Sequence, residues 1–494
     1  MESNNGIDIK DFAYCSDKYQ YTMGKSFYET GRKDTIAVFN MFYRKAPENN
    51  NWAVVSGTQE AIECIMNLGK AEPEFYERFL PGEEYAGFRQ YLSTLKFTGN
   101  VYAMREGEIA FPNQPIITVE APLIEAQILE TPLLCIMNHQ MAVATKASRV
   151  CRATNRPVSE FGSRRAHGPW AATYGAKAAI IAGCASTSNI LTGVLNGVPS
   201  TGTMAHSFVT AYGSTVEGEH KAFKDYINTH RGENLILLID TYDTLKCGIL
   251  NAIRSFKECG IDNEYPYGYG VRLDSGDLAY LSVKVRRILD HHGLTGCKIF
   301  ATNSLDEYLI RDMIGQGAKV DSFGVGERLI TSSSSPVLGG VYKLCAVEKD
   351  GKICPRIKIS DNVAKISTPC FKKPWRLFDR ETGKAIADLV TLNNEVVDDT
   401  KPYELFDPDF TWKRKIVENY VAKPLTVQLF KDGECVYKCP PLDEVKKHCA
   451  EQIDTLWDEV LRFDNPHNYY VDLSQKLWDE KQRLLAEHGK KDEQ

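Results

Sequence analysis

The chain has 494 residues, of which 43% are hydrophobic, and a formal net charge of −6. This length can bury a large core and is typical of about two to four domains. The negative charge argues against a broad nucleic-acid surface, although it is compatible with a local basic pocket for a small anion. There is no apolar run of about 18 residues, and the N-terminus MESNNGIDIKDF lacks the pattern of a signal peptide. We therefore expect a cytoplasmic protein.

The 14 cysteines are scattered along the chain. In a reducing compartment this distribution is typical of free thiols, most of them buried. Cys435, Cys439, His448 and Cys449 form the densest group of metal-ligand residue types, on a predicted turn and the helix after it. Zinc ligands usually come in closer pairs, so we favour ordinary packing here and leave metal binding open.

The first 150 residues are predicted to form a mixed α/β region. DKYQYTMGKSFYETG and AVVSGTQEAIECIMNLG have helical patterns, TIAVFNMFYRKAP has a strand pattern, and GNVYAMREGEIAFPNQPIITVEAPL is typical of antiparallel strands. A long apolar helix is expected from about Ile124 to Arg152. The sequence MGKSF is not a phosphate-binding P-loop, because Tyr19 stands where the first glycine of that motif is needed. We therefore place it on a helix.

Strand-like segments alternate with helical ones from about Pro157 to Val347, which indicates a parallel sheet. The strand-like segments are PVSEFGSRRA, ASTSNILTG, STGTMAHSFV, NLILLIDTYD, YGVRLDSGD, KIFATNS and DSFGVGERL. Ser304 followed by Glu307 resembles a capping box, which predicts a helix that begins just after ATN.

Polar or glycine residues stand at the carboxyl end of each predicted strand. They are Arg164, Arg165, Ser188, Asn189, Thr203, His206, Asp240, Asp243, Arg272, Asp274, Asn303, Gly324 and Gly326. Each alone is more simply explained as a turn or cap residue, but in a closed α/β barrel these ends meet on the face that carries the chemistry. Arginines suit phosphate or carboxylate, aspartates suit magnesium or a ribose diol, and FGVGER offers backbone N–H groups to a phosphate. The residues alone therefore indicate a phosphorylated sugar as substrate.

Eight motifs in order resemble those of the nicotinate phosphoribosyltransferase family. They are DKYQYTM, EFGSRRAHGPWAA, TSNILTG, GTMAHSFV, RLDSGDL, ATNSLDEYLI, FGVGERLITS and GGVYKLCAV. The resemblance extends from Asp17 to NPHNYYVDLSQKLWD near the C-terminus. It implies the type II phosphoribosyltransferase fold, an irregular α/β barrel with a mixed α/β domain built from both chain ends. We expect the N-terminal part of that domain at residues 1–150, the barrel at 151–347, and a C-terminal segment at 348–494 that packs on both.

The resemblance also implies a reaction. Nicotinate and phosphoribosyl pyrophosphate would give nicotinate mononucleotide and pyrophosphate in NAD salvage, coupled to ATP hydrolysis through a phosphohistidine as in an ATP-dependent ligase. Magnesium is the expected cofactor and ATP a co-substrate. The expected assembly is a homodimer with shared active sites, and neither nucleic acid nor membrane is an expected partner.

The family's residue roles are assigned here by matching motifs. On its surroundings alone His206 is more simply a structural or general-base histidine, whereas the resemblance makes it the phosphohistidine, with Arg272 and Asp274 as further catalytic residues. Phe161 and Tyr19 would stack on the two faces of the pyridine ring, with Tyr19 coming from the neighbouring subunit. The other expected substrate contacts are Arg164, Arg165, Asn189, Thr203, Asp243, Ser304, Gly324, Gly326 and Thr331. The expected magnesium ligands are Asp243 and Asp274.

The sequence departs from many relatives at His167, Trp170, Ala185 and Ser186, so substrate affinity is less firmly predicted than reaction type. Three alternatives stay open: a nicotinamide phosphoribosyltransferase, a quinolinate-specific relative, whose chains are much shorter, and a catalytically silent binding or regulatory protein. Amide-using relatives carry an aspartate in the segment that matches TSNILTG, where this chain has Ser188 and Asn189. We therefore expect acid rather than amide specificity.

Overall fold

The computed structural model describes residues 9–48, 50–362 and 365–489. These residues divide into two compact units. The first contains the described residues up to Ala142 and from Val337 onward, and the second is Val143–Pro336. The domain limits expected at residues 150 and 347 stay predictions. No helix in the described part of the chain is both long and apolar enough to cross a membrane.

The second unit is built on a six-stranded sheet in which every pairing is parallel. In order across the sheet, its strands are Ser186–Thr187, Val158–Glu160, Ser322–Val325, Lys298–Ala301, Tyr269–Leu273 and Leu235–Leu238. Its α-helices are Pro169–Ile181, Ile190–Asn196, His206–Thr210, Val216–Thr229, Ile249–Glu258, Leu278–His291, Glu307–Gly315 and Glu327–Ile330, and shorter turns are the 3-10 helix Ser163–Arg165 and the π-helical Thr244–Gly248. All four residues of Leu235–Leu238 are buried, as an apolar run in a parallel sheet requires.

Six of the seven strand-like segments of this unit contain a strand of the sheet, and their parallel arrangement is as predicted. The prediction for STGTMAHSFV is wrong. Residues 201–205 are irregular and His206–Thr210 is a short helix, with a single bridge between Ser200 and Thr187 nearby. The segment is short of the β-branched apolar residues that favour a buried strand. Within the described residues the two edge strands of the sheet do not pair, so the sheet is curled but open.

The predicted helix after ATN exists, but the predicted capping box does not. The helix begins at Glu307, and its N-cap is Asp306, whose Oδ1 accepts a hydrogen bond from the Leu309 N–H at 2.8 Å. The Ser304 hydroxyl donates instead to Asn303 Oδ1 at 3.1 Å. Glu307 is fully buried and pairs with Lys146, so it does not reach back to a cap.

The first unit contains two larger sheets and two small ones. The seven-stranded antiparallel sheet has the order Lys352–Pro355, Gly340–Lys349, Ile36–Tyr43, Ile117–Pro122, Asn100–Met104, Thr426–Lys431 and Glu434–Cys435. The four-stranded sheet has the order Tyr420–Pro424, Lys372–Asp379, Ala385–Leu392 and Val471–Leu473, in which only the last pairing is parallel. The two-stranded sheets are Tyr403–Phe406 with Arg414–Val417, and Ala53–Val54 with Ile109–Ala110. Strands from both ends of the chain therefore share one sheet, as expected for the mixed domain.

The helices of this unit cover its sheets and complete its cores. They are Lys18–Glu29, Thr58–Met66, Pro73–Phe79, Ala86–Ser93, Leu123–Ile128, the first half of Glu130–Arg152, Leu442–Asp454 and Gln475–Gly489, with 3-10 helices Ile9–Tyr14 and Glu83–Tyr85. The residues MGKSF lie on a helix, as predicted. The long helix expected from Ile124 to Arg152 is interrupted at Leu129.

Candidate functional site

Strand register brings two aspartates and a threonine together at the carboxyl edge of the parallel sheet. Leu238 is paired with Arg272 and Leu273 with Ala301, so Asp240, Asp274 and Thr302 follow on neighbouring strands. Asp240 Oδ2 accepts hydrogen bonds from the Asp274 N–H at 3.1 Å and from a serine hydroxyl at 2.5 Å, and Asp274 Oδ1 accepts one from the Thr302 hydroxyl. Asp240 Oδ1 is buried without a hydrogen-bond partner among the described residues.

These two carboxylates are the residues of the site that suit a magnesium ion. Among the described residues no group of three or more His, Cys, Asp or Glu side chains is arranged to hold a metal ion. Magnesium is commonly bound by one or two carboxylates together with substrate phosphates, however, so Asp240 and Asp274 fit that mode of binding. The buried, unpaired Asp240 Oδ1 also fits, because such an oxygen is costly unless a donor or cation faces it.

His206 lies at the start of its helix with both ring nitrogens near side chains of this edge. Its Nδ1 is 3.1 Å from the Thr241 hydroxyl oxygen, and its Nε2 is 3.8 Å from Asp274 Oδ2. The side chain is 43% exposed, so the ring is accessible to a ligand from the solvent side. A hydroxyl partner on one nitrogen orients the imidazole and leaves the other nitrogen to face the carboxylate.

Arg272 places a partly buried guanidinium beside the carboxylates. Its Nη1 donates to the Thr203 hydroxyl oxygen at 2.6 Å and its Nη2 to the Met204 carbonyl at 3.1 Å, whereas its Nε has no partner among the described residues. Burial lowers the pKa of Arg272, Asp274 opposes that change, and nearby Arg164 adds to it. Arginine stays charged in proteins, so the two guanidinium groups are suited to bind an anion, and this role stays a prediction.

The glycines of FGVGER allow the Phe161 segment to pack closely. A Cβ at Gly324 would lie 2.6 Å from the Phe161 ring and 2.7 Å from Thr302 Cγ2, and a Cβ at Gly326 would lie 2.9 Å from the Phe161 carbonyl oxygen. The Phe161 N–H also donates to the Val325 carbonyl at 2.8 Å. The two glycines therefore fix the position of the predicted stacking ring, and the phosphate contact expected of them stays a prediction.

Several predicted substrate contacts have local hydrogen bonds of their own. Asn189 caps a helix, because its Oδ1 accepts from the Thr192 N–H at 2.9 Å while its Nδ2 donates to the Ser163 hydroxyl oxygen at 3.1 Å. Asp243 Oδ1 accepts from two backbone N–H groups of the following π-helical turn. The Thr331 hydroxyl donates to a main-chain carbonyl at 2.7 Å. Their roles toward substrate stay predictions.

Two further predicted substrate contacts are exposed, Arg165 in the second unit and Tyr19 in the first. Arg165 Nε is 3.3 Å from Glu327 Oε2, and both side chains are largely exposed. Tyr19 lies in the first turn of the helix Lys18–Glu29 in the first unit, and about half of it is exposed. An exposed tyrosine ring can contact a ligand, and the stacking role expected of Tyr19 stays a prediction.

The loop after Lys298–Ala301 is strained at the same edge of the sheet. Asn303 has a φ of 93° and Ser304 a φ of 50°, so two consecutive residues other than glycine are left-handed. Each such residue costs on the order of 1–3 kcal/mol, and strain of this kind clusters at functional sites.

The sequence departures noted above differ in their surroundings. Ser186 lies in the sheet with its hydroxyl 2.8 Å from that of Ser159, and Ala185 precedes it in the same segment. Trp170 stacks on Tyr174 with ring centroids 5.8 Å apart. His167 is exposed. The changes at Ser186 and Trp170 are therefore accommodated by local packing.

Sequence reasoning placed Asp240 at a strand end without assigning it a role, and it missed Thr241, Thr302 and Glu160. Glu160 is buried at the end of its strand, and its carboxylate accepts a hydrogen bond from the Thr187 hydroxyl at 2.6 Å. Burial raises the pKa of Glu160, while the Thr187 hydroxyl and the Gly162 N–H lower it. Their position in the sequence could have indicated these residues, because each of them ends or directly follows a predicted strand.

Cys435, Cys439, His448 and Cys449, the candidate metal ligands of the C-terminal region, are not arranged as a metal site. Cys435 is exposed at the end of a short strand, while Cys449 is buried in the helix Leu442–Asp454. His448 Nε2 lies 3.4 Å from Glu108 Oε2, and Cys439 is partly buried against the core of its unit. No set of three or more metal-ligand side chains occurs there among the described residues.

Two family models match the chain. The nicotinate phosphoribosyltransferase N-terminal domain matches residues 15–138, and the C-terminal domain of the same family matches residues 371–481. The Bacillus subtilis (strain 168) nicotinate phosphoribosyltransferase is 41% identical over 485 residues, which cover 98% of this chain and 97% of the relative. A nicotinate phosphoribosyltransferase from Dictyostelium discoideum is 33% identical, covering 94% of this chain and 86% of the relative.

Solved structures agree with these matches. The crystal structure of human nicotinic acid phosphoribosyltransferase superimposes with a TM-score of 0.83 at 27% identity, covering 95% of this chain and 99% of the human one. A nicotinate-nucleotide pyrophosphorylase from Pyrococcus furiosus has a TM-score of 0.70 at 24% identity and shows the shared fold, covering 92% of this chain and 99% of that one. The resemblance found in the eight motifs and the predicted fold class are confirmed.

Proposed function

Since the chain belongs to the nicotinate phosphoribosyltransferase family, we propose that it transfers the phosphoribosyl group of phosphoribosyl pyrophosphate to nicotinate. The pyridine nitrogen would bond to the ribosyl C1 as the bond from C1 to the pyrophosphate oxygen breaks, which yields nicotinate mononucleotide and pyrophosphate. The observation that best supports this reaction is one edge of a parallel sheet where Arg164 and Arg272 lie beside Asp240 and Asp274.

The chemistry of these groups suits a polyanionic substrate. The two arginines can hold the nicotinate carboxylate or the phosphates and stabilise the charge that the leaving pyrophosphate develops. Phe161, packed against Gly324, would support one face of the pyridine ring. Thr203, which Arg272 already holds at 2.6 Å, would be positioned toward the base. Positioning of both substrates is itself a large part of such catalysis.

We propose that Asp240 and Asp274 bind a magnesium ion. Magnesium, when bound, would supply charge neutralisation for the pyrophosphate group. Of the two ligands expected from the sequence, Asp274 keeps this role. Asp243 uses Oδ1 for two backbone N–H groups and has Oδ2 3.2 Å from Lys246 Nζ, so we assign it to the ribose hydroxyls.

ATP coupling through His206 is the next step of the proposal. A ring nitrogen would bond to the γ-phosphorus of ATP as the bond from that phosphorus to the β-γ bridging oxygen breaks, which releases ADP. Water would later cleave the N–P bond and release phosphate. The ring is accessible and is oriented by Thr241 at 3.1 Å, as a nucleophile requires. The enzyme would then belong to the ATP-coupled C–N ligases.

A homodimer with shared active sites is the proposed assembly. The helix Ile190–Asn196 follows the edge strand Ser186–Thr187 and exposes four apolar side chains: Ile190, Leu191, Val194 and Leu195. Ile190 is 74% exposed and Val194 75%, which is costly for a surface that nothing covers. In the proposed dimer, Tyr19 of one copy would complete the site of the other. Nucleic acid and membrane are not proposed partners, and the proposed location is the cytoplasm.

The proposal is tested by assaying the purified full chain with nicotinate, phosphoribosyl pyrophosphate and magnesium, with and without ATP. We expect nicotinate mononucleotide and pyrophosphate in equal amounts, with ADP formed only when ATP is present. Preference for nicotinamide would support the amide-using alternative, and product from quinolinate the second alternative. Absence of any product from a folded chain would support the silent relative.

A further inference from the structure

The first unit contains a cavity of about 880 Å³ that the proposed reaction does not use. Strands from the four-stranded sheet, the strand Thr426–Lys431 and the helix Leu442–Asp454 contribute its lining. This volume lies in the range of small-molecule binding sites. The carboxylates and arginines discussed above belong to the other unit, so this cavity is a separate feature of the fold.

Three cations line this cavity, and two of them have no acidic partner. Arg105 and Lys423 are exposed and make no ion pair with a described residue, while Arg380 lies 3.4 Å from Asp399 Oδ1. Lys423 Nζ instead lies over the Phe378 ring, 5.2 Å from its centroid. Two guanidinium groups and an ammonium group around one concave surface are the donors that phosphates bind.

The two carboxylates that line the cavity are already compensated. Glu108 Oε1 is 2.9 Å from the buried Arg376 Nη1, and its other oxygen is 3.4 Å from His448 Nε2. Asp379 Oδ1 accepts three hydrogen bonds from Glu381 and Thr382 within its own turn, and these hold the pKa of Asp379 below its ordinary value, Thr382 most strongly. The charge left to face a ligand is therefore positive.

The rest of the lining is apolar or uncharged. Phe378, Val421, Leu425 and Val427 supply an apolar wall, and the Gln452 side chain makes no hydrogen bond with a described residue. An apolar wall beside a cationic rim matches a molecule that has a ring at one end and a phosphate at the other.

We propose that this cationic pocket, defined by Arg105, Arg380, Lys423 and the Phe378 wall, binds a nucleoside monophosphate. The phosphate would lie against Arg105 and Lys423, and the base would lie along Phe378. The residues of this pocket are not those proposed for the phosphoribosyl transfer, and nucleotide binding there does not depend on which base that reaction uses.

The test is calorimetric titration of the full chain with adenosine 5′-phosphate. It is carried out in an Arg272→Ala background, which removes a phosphate-binding group of the other unit. We expect one binding event per chain, and we expect Arg105→Ala combined with Lys423→Ala to weaken it at least 10-fold. The matched control, Lys415→Ala, removes an exposed lysine elsewhere in the same unit and should leave the affinity unchanged. Melting temperatures confirm that each variant is folded.

Two further ligands separate the parts of the proposal. Adenosine alone and inorganic phosphate alone should each bind at least 10-fold more weakly than the nucleotide. Adenosine can contact only the Phe378 wall, and phosphate can contact only the cationic side chains. Equal affinity in the Arg105→Ala, Lys423→Ala variant and its parent would overturn the proposal, as would the absence of any binding heat in the parent. Binding of inorganic phosphate as tight as that of the nucleotide would overturn the role of the Phe378 wall.

Discussion

His206 and Asp274 face each other across 3.8 Å, from Nε2 of the ring to Oδ2 of the carboxylate. They come from different segments, since His206 begins a short helix and Asp274 directly follows the strand Tyr269–Leu273. The other ring nitrogen is held by Thr241, and the other carboxylate oxygen by Thr302. The pair is thus positioned from both sides, and a phosphate on the ring would lie close to the proposed magnesium site.

The first prediction concerns His206→Asn. In the proposed reaction, positioning and charge stabilisation at the ribosyl carbon would come from Arg272 and Asp274, so the variant should keep a slow synthesis that does not depend on ATP. It should lose ATP hydrolysis and acid-labile labelling from γ-labelled ATP. A phosphorylated ring would order the substrate site, so we expect the KM for phosphoribosyl pyrophosphate to rise 10 to 100-fold, which corresponds to about 1.4 to 2.7 kcal/mol.

His292→Asn is the matched control, because His292 is a partly exposed histidine that caps a helix of the same unit. It should retain labelling and ATP dependence. Labelling of a histidine in His206→Asn would contradict the assignment. Complete loss of base transfer in a folded variant would place the ring in the bond-breaking step.

The second prediction concerns acid specificity at Asn189. An aspartate there can still cap Thr192, so the fold should be preserved, but at the proposed substrate contact its charge would lie near the bound carboxylate. A like charge at about 6 Å costs on the order of 3 kcal/mol at an effective dielectric of about 20. Asn189→Asp should therefore lower kcat/KM for nicotinate by about 10 to 100-fold and lower the nicotinate to nicotinamide ratio. Asn228→Asp, on an exposed helix position, should change neither value.

Much of this architecture could be predicted from sequence, and the failures have physical causes. The strand Leu235–Leu238 is a short apolar run, which is long enough for a buried strand and too short for a typical helix, so its length favours a strand. The segment STGTMAHSFV, which contains His206, is predicted as a strand, and the helix His206–Thr210 has no side-chain N-cap that would mark its start in the sequence. Asp240 and Asp274 meet only through the register of Leu238 with Arg272, and pairing register is not encoded locally.

The third prediction concerns stability at Arg376. This fully buried guanidinium donates to both oxygens of Asp388 at 2.8 Å, to Glu108 Oε1 at 2.9 Å and to a main-chain carbonyl at 2.7 Å. Arg376→Met would leave two buried carboxylates without their cation, which costs about 3–5 kcal/mol. We expect a clear fall in the melting temperature.

The control is Arg414→Met, which removes an exposed ion pair with Glu404 and should lower the free energy of unfolding by less than about 1 kcal/mol. Equal shifts in the two variants would contradict this account.

The fourth prediction concerns pH and Glu125. Burial raises the pKa of Glu125 from 4.5 to about 7, although hydrogen bonds from Thr98 oppose the shift. The folded state therefore holds a proton that the unfolded state releases, and this contribution is full below about pH 4.5 and is lost as the pH rises through about 7. Its upper limit is about 3 kcal/mol. The wild-type melting temperature should fall between about pH 5 and pH 8 more steeply than that of Glu125→Gln, which still accepts from the Thr98 N–H. Glu84→Gln, at an exposed site, should follow the wild type.

The last prediction concerns the shared site. If Tyr19 completes the site of a neighbouring subunit, Tyr19→Ala and Arg272→Ala chains should each be nearly inactive alone, because every site in either homodimer lacks one group. In a mixed dimer, one site would combine an intact Arg272 with an intact Tyr19 from the other chain, and the second site would lack both. Dimers purified through two different tags should therefore recover up to about half the wild-type turnover, since one site in two is intact.

Dimers of Tyr19→Ala with the Tyr19→Ala, Arg272→Ala double variant provide the control and should recover nothing. If purified mixed dimers stay inactive, Tyr19 does not act across the interface. If sites were built within single chains, each would still lack one group, so recovery of activity is the outcome that separates the two arrangements.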